Sequence, residues 1–340
     1  MDGYTKPQHQ AAGHDGALVD SSGAIFIKPS TDDEITFYTT VQERLEQEEN
    51  GDEESKLTDW MPLFLGTLQP GISKGAEKTQ QVTDDIKQLE KEQIAKGIVD
   101  PSKKYLVIQN LLHGFKKPAI IDIKLGAILY DEKTSDEKKK RLEDVSRSTT
   151  SGSLHYRVCG MKLYGTTIPD LSCFNDVEEH VVKDDDGYIV FDKWYGRSLT
   201  LENISENFKI FFCNNDLPNE IQQIVIRNTF TRLQLLYNCL LSEEVRIRSG
   251  SILLAFENDV DRWKEMQNED PIFKDDLPYD DDDDEDDEDD EDDENTVAPL
   301  SLLSLIDFAH AKFTPGQGHD EDIVVGVENL MNIVEELIKV

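Results

Sequence analysis

Between residues 219 and 243, apolar side chains recur at intervals of three and four: Ile221, Ile224, Val225, Phe230, Leu233, Tyr237 and Leu240. That spacing lays them along one stripe of an α-helix. A second amphipathic helix is predicted over 320–338. Short apolar or β-branched runs predict strands at 24–28, 105–109, 118–126, 188–192, 251–256 and 301–307. Pro29 is expected to end the first of these and Gly126 the third, while the last ends on the carboxylate Asp307. Thr31-Asp-Asp-Glu34 has capping-box spacing and opens a helix running to about Glu46. Another helix is expected from Ser135, with acids in its first turn and basic residues further along, as the helix dipole favours. Gly13 to Gly16 reads as a turn, and no internal repeat is visible. Strands early, mixed elements later and a break before the last strand predict an α+β chain in two lobes.

Composition sharpens this outline. The chain has 340 residues, 37% of them hydrophobic, enough to bury a sizeable core. It carries 35 Lys and Arg against 71 Asp and Glu, a net charge of −36, so its general field repels nucleic acid and no direct DNA binding is expected. Residues 280–294 are fifteen consecutive acids, too densely like-charged to pack, and 275–298 is therefore expected to be a disordered polyacidic insertion. Residues 46–56 and 71–104 are polar and charged and read as surface insertions. The amino-terminal residues lack a signal-peptide apolar stretch, and no 18-residue apolar run suggests a membrane span. Cys159, Cys173, Cys213 and Cys239 are scattered without zinc spacing, which fits a reducing compartment. Trp60, Trp194 and Trp263 are expected in the core or at its rim.

One window departs from the acidic background. From Lys103 to Lys162 there are thirteen basic residues and seven acids. A local excess of Lys and Arg suits phosphate oxygens of a small anionic ligand, although charge counting alone leaves a solvated helix face as the alternative. Phosphoryl transfer needs a cation on the nucleotide phosphates, a carboxylate for Mg2+ and a positioned acceptor. Lys28 ends a strand, with Glu34 close enough in sequence to pair with it, and Asp307 precedes Phe308 after a strand. Each signal is common when taken singly.

The stretch Pro118-Ala-Ile-Ile-Asp122-Ile-Lys124-Leu-Gly126 is more specific, because it fits P-x-x-x-D-x-K-x-G. In this it resembles the inositol phosphate kinase family, and most closely its multikinase branch. Glu34-Ile-Thr-Phe-Tyr38, Thr150 to Ser153, Arg157 to Lys162, Tyr195 to Ser198, Ser251 to Leu254 and Ser304 to His310 match further blocks in order. Gln10 to Gly16 is similar to the family's amino-terminal turn. The resemblance implies an N-terminal lobe over 1–111 and a C-terminal lobe over 112–340, with an inserted inositol-binding helical segment near 130–165. It implies an ATP- and Mg2+-dependent kinase that converts inositol trisphosphate and tetrakisphosphate to pentakisphosphate.

The same resemblance implies roles for single residues. Lys28 would meet the nucleotide phosphates, and Gln109 and Leu111 would form the adenine hinge. Asp122 would hold the ribose or orient the reacting hydroxyl, and Lys124 would bridge the acceptor and the moving phosphoryl group. Lys138, Arg141, Lys193 and His310 would grip substrate, and Asp307 would bind Mg2+. The acidic run is typical of the fungal branch, whose members also act in arginine-responsive transcription. A nuclear and cytoplasmic location and basic DNA-binding transcription factors as partners are implied in turn. Two competing expectations remain at this stage: a non-catalytic acidic transcriptional cofactor, and a diphosphoinositol-forming hexakisphosphate kinase.

Overall fold

The computed structural model describes residues 4–11, 16–47, 55–68, 103–165, 167–272 and 298–339. Residues 13–15 of the expected Gly13 to Gly16 turn, most of the insertions at 46–56 and 71–104, and the polyacidic run lie outside the described residues. The first lobe contains β1 (Tyr4–Thr5), β2 (Leu18–Asp20), β3 (Ile25–Ser30), α1 (Asp32–Gln47), β4 (Phe64–Leu68) and β5 (Lys104–Gln109). Its five strands form an antiparallel sheet in the order β1-β2-β3-β5-β4. Pro29 does not end β3, which continues to Ser30 and pairs Pro29 with Tyr105. β2 reaches only Phe26 and Ile27, so the missing proline N–H faces no strand on that side.

The second lobe begins with β6 (Pro118–Leu125), α2 (Asp136–Arg147), α3 (Thr150–Leu154), β7 (Tyr156–Tyr164), β8 (Val181–Lys183) and β9 (Tyr188–Phe191). It continues through α4 (Lys193–Ser198), α5 (Ile204–Cys213), α6 (Asn219–Ser242), β10 (Val245–Ile247), β11 (Ser251–Glu257) and α7 (Val260–Glu265). β12 (Ser301–Ile306), β13 (Ala311–Phe313) and α8 (Glu321–Ile338) close the chain. Six strands make an antiparallel sheet in the order β12-β11-β6-β7-β9-β8, and β10 pairs β13 in a separate ribbon. Of the helical stripe read from the sequence, Ile221, Val225, Leu233 and Leu240 are buried on α6, which packs against α8, whereas Ile224, Phe230 and Tyr237 are half-buried and Ile226 and Leu236 join the buried face.

β6 lies inside this sheet and is buried along its length except at Lys124, which is half-buried. Continuous burial explains why its sequence is an apolar run rather than a clean alternation. β7, its neighbour, carries no such signature. It buries Arg157 and Lys162, which are held by the Ser151 hydroxyl (2.9 Å) and the Asp184 carboxylate (3.2 Å). The β6–β7 register shifts between Asp122 and Ile123, which face Gly160 and Val158, so Cys159 is the extra residue of a bulge. Among the described residues no helix is long and apolar enough to cross a membrane.

Candidate functional site

Three remote segments meet where the lobes face each other. The Lys28 ammonium, from within β3, lies 2.8 Å from Glu34 on α1 and 2.8 Å from Asp307, just after β12. Thr31 caps α1 by accepting the Glu34 N–H (3.2 Å), but the Glu34 carboxylate does not complete a capping box. It holds Lys28, accepts the Phe308 N–H (3.1 Å) and accepts the Ser30 hydroxyl (2.6 Å), and it is almost fully buried. Burial works against the charge of Lys28, yet the Asp307 and Glu34 carboxylates more than offset it and hold the ammonium above its usual range. Asp307 adopts a left-handed backbone, φ 65°, a strained geometry for a non-glycine residue that tends to mark functional positions.

Asp122 and Lys124 alternate with buried Ile121, Ile123 and Leu125 on β6. The Lys124 ammonium donates to the Ser249 carbonyl at 2.6 Å. Asp122 is buried, and its Oδ1 has no hydrogen-bond partner. Burial pushes its carboxyl up to about 6; Lys124 opposes the shift and the negative charge of Asp307 adds to it. An orphaned buried carboxylate oxygen near a second carboxylate fits a ligand that brings hydroxyl donors or a cation. Among the described residues no three His, Cys, Asp or Glu side chains form a ready-made metal cage. A divalent cation here would therefore complete its shell with phosphate oxygens, as Mg2+ commonly does, and Asp307 fits that use.

Gly126, the last position of the signature, has φ 86°, and a Cβ there would come 2.9 Å from Asp322 Oδ2. The Asp322 carboxylate occupies that place because it accepts the N–H groups of Ala127 (2.8 Å) and Ile128 (3.0 Å) and meets His155 Nδ1 at 2.7 Å. The glycine thus lets the start of α8 clamp the loop that leaves Lys124.

Beside these residues lies a cleft of about 620 Å³ walled by α1, the 128–133 loop, β10 and the β13 ribbon. His310 lines it and meets Asp131 at 2.6 Å. Of the basic residues expected on α2, Lys139 faces the cleft, over the Tyr130 ring, whereas Lys138 and Arg141 are solvent-exposed outside its lining. Lys193 also lies outside the lining, with its ammonium over the Trp194 ring at the start of α4. Trp194 is exposed, while Trp60 and Trp263 are buried. Gln109 closes β5 and donates its N–H to the Leu63 carbonyl (2.9 Å), and Leu111 packs with Phe115, Ile120, Ala255 and Leu302.

Sequence reading missed Arg246, Arg248, Lys133 and Lys312, which also line the cleft. A signal existed for two of them. Val245-Arg-Ile-Arg248 alternates perfectly, with Val245 and Ile247 buried and the two arginines turned to the cleft. Arg248 is anchored by Asp320 (2.8 Å).

The family model described as "Inositol polyphosphate kinase" matches residues 105–335. The chain is 39% identical to the inositol polyphosphate multikinase of Saccharomyces cerevisiae over 98% of both chains. It is 27% identical to that of Schizosaccharomyces pombe, covering 97% of this chain and 96% of the relative. A mouse inositol hexakisphosphate kinase is 24% identical over 70% of this chain and 52% of its own length. The solved inositol phosphate multikinase of S. cerevisiae, in complex with ADP and Mn2+, superposes with a TM-score of 0.70 at 35% identity, covering 93% of this chain and all of that one.

Proposed function

This chain belongs to the inositol polyphosphate kinase family, and on that footing we propose how its cleft carries out phosphoryl transfer from ATP to inositol phosphates. The chain is an ATP-dependent inositol polyphosphate multikinase. The reading rests on one observation above all: Lys28 and Asp307, 279 positions apart, share a 2.8 Å contact beside the signature strand. Lys28 receives the nucleotide's phosphates, Gln109 and Leu111 receive its adenine, and Asp122 meets the ribose hydroxyls with its unpartnered oxygen. Lys124, released from the Ser249 carbonyl, lies between acceptor and donor and stabilises charge on the transferring group. His310, Lys139 and the two β10 arginines hold the acceptor's phosphates, with Lys138 and Arg141 at the outer edge. Lys193 has no part in this arrangement. Mg2+ held by Asp307 would neutralise charge on the terminal phosphate oxygens.

The acceptors we assign are inositol trisphosphate and tetrakisphosphate, with pentakisphosphate as product. Chromatography of products from ATP and a mixed inositol phosphate panel tests this assignment. Consumption of neither trisphosphate nor ATP would refute it, and growth of diphosphorylated products from hexakisphosphate would favour the rival kinase activity. Lys124→Ala is expected to lower turnover by about a hundred- to a thousandfold while circular dichroism stays unchanged. We further assign the polyacidic run to contacts with basic transcription factors in the nucleus, on the ground of its charge.

A further inference from the structure

Three of the basic side chains that line the acceptor cleft are already paired with carboxylates of the same cleft. Lys133 pairs with Asp33 on α1 (2.7 Å), Lys312 with Glu132 (2.7 Å), and His310 with Asp131 (2.6 Å). By contrast Lys139 lies over an aromatic ring, and Arg246 donates to the carbonyls of Val245, Gly318 and Gln317. An incoming phosphate meets Lys139 or Arg246 without displacing a carboxylate of the cleft lining, although Glu244, outside that lining, also attracts Arg246. At Lys133, Lys312 and His310 it must displace a carboxylate that itself lines the cleft and stays on the wall because its backbone is fixed, whereas Arg248, the remaining basic residue of the lining, is held by Asp320 from outside it. Asp131 is the most firmly fixed, since it also accepts the Thr134 hydroxyl (2.8 Å) and the Lys133 N–H (3.0 Å). Burial disfavours its charge, but the bonds from Thr134 and His310 outweigh this and keep its carboxyl below the usual range.

The pairs at Lys133 and Lys312 are well exposed, and such pairs open easily. What persists after opening is the negative charge beside each added phosphate. Repulsion of this kind grows with the number of phosphates on the acceptor, whereas the attraction of the unopposed cations is used up by the first few.

Resting on the kinase reading above, we propose that Asp33, Asp131 and Glu132 determine acceptor specificity by limiting how many phosphates the cleft accommodates. They favour acceptors with free ring hydroxyls over fully phosphorylated inositol. The residues come from both lobes, Asp33 from α1 and the other two from the loop after Gly126, so the filter forms only when both walls face the acceptor.

The test uses the full-length protein carrying Asp33→Asn together with Glu132→Gln, with Asp131 left intact because it orients His310. Calorimetry with ADP and Mg2+ present gives dissociation constants for inositol trisphosphate and inositol hexakisphosphate in wild type and variant. Each removed charge is expected to tighten hexakisphosphate by about three- to tenfold and trisphosphate by clearly less. The difference should shrink at high salt. Asp32→Asn, which removes the same charge one position away at an exposed pair with Lys104 outside the cleft, should leave the ratio of the two constants unchanged. A ratio in the double variant equal to that of wild type, or equal to that of Asp32→Asn, overturns the proposal. Turnover of trisphosphate measured in parallel judges the kinase reading separately: its absence in wild type would refute that reading, while the binding ratio still decides the filter.

Discussion

Asp122 concentrates the conflict between stability and function at a single side chain. Its carboxyl, ordinarily near 3.8, is raised to about 6 by burial. A raised carboxyl means that the folded state holds the proton more tightly than the unfolded one. Stability therefore falls as pH rises from about 4 to about 6, and above that the full deficit, on the order of 2–3 kcal/mol, is present. Asp122→Asn is accordingly expected to raise the melting temperature at pH 8 and to change it much less at pH 4. The charged form is the one that serves a ribose hydroxyl or a cation. In wild type kcat/KM should climb through about pH 6, and Asp122→Asn should lose this limb along with activity. A pH–rate profile beside a thermal melt of each protein checks both signs. An identical acid limb in the variant would assign the titration to another group.

At the level of elements, legibility followed periodicity and burial. β6 was readable because an apolar run with two polar interruptions stands out. The V-R-I-R alternation at β10 was equally present in the sequence, but four residues are too few to notice without its partner β13. β7 could not be read, since its buried Arg157 and Lys162 break both periods and are satisfied only by residues brought near through folding. Glu34 shows the same limit. Its pairing with Lys28 is expected from their nearness in sequence and is found, but its spacing from Thr31 also advertises a capping box that it does not complete, and the Phe308 N–H it accepts instead lies 274 positions away. The signature glycine is explained only by α8. Gly126→Ala would place a methyl group against Asp322 and force an unfavourable positive φ. We expect a loss of about 1–3 kcal/mol in denaturant unfolding, and a drop in kcat larger than the change in nucleotide KM. Nucleotide KM rising alone would show that the clamp does not act through Lys124.

On the scale of the whole molecule, a chain of net charge −36 must attract an acceptor that is itself a polyanion. The local excess of Lys and Arg in the 103–162 window works against a field to which residues 280–294 contribute fifteen negative charges. The two flanks of that segment are tied to the second lobe by buried arginines. Arg232 donates to the carbonyls of Pro271 (2.7 Å) and Ile272 (3.0 Å), and Arg262 donates to those of Ala298 and Pro299. Replacing residues 280–294 with fifteen Ser and Gly residues keeps those anchors and removes only charge. The catalytic constellation is untouched, so kcat should stay within about twofold. At low ionic strength the KM for inositol trisphosphate should fall a few-fold, because less repulsion opposes encounter. Near 1 M salt, where the screening length is about 3 Å, the two proteins should converge. A KM that is unchanged at low salt would mean that the acidic run lies electrically remote from the cleft, leaving its charge to act on partners alone.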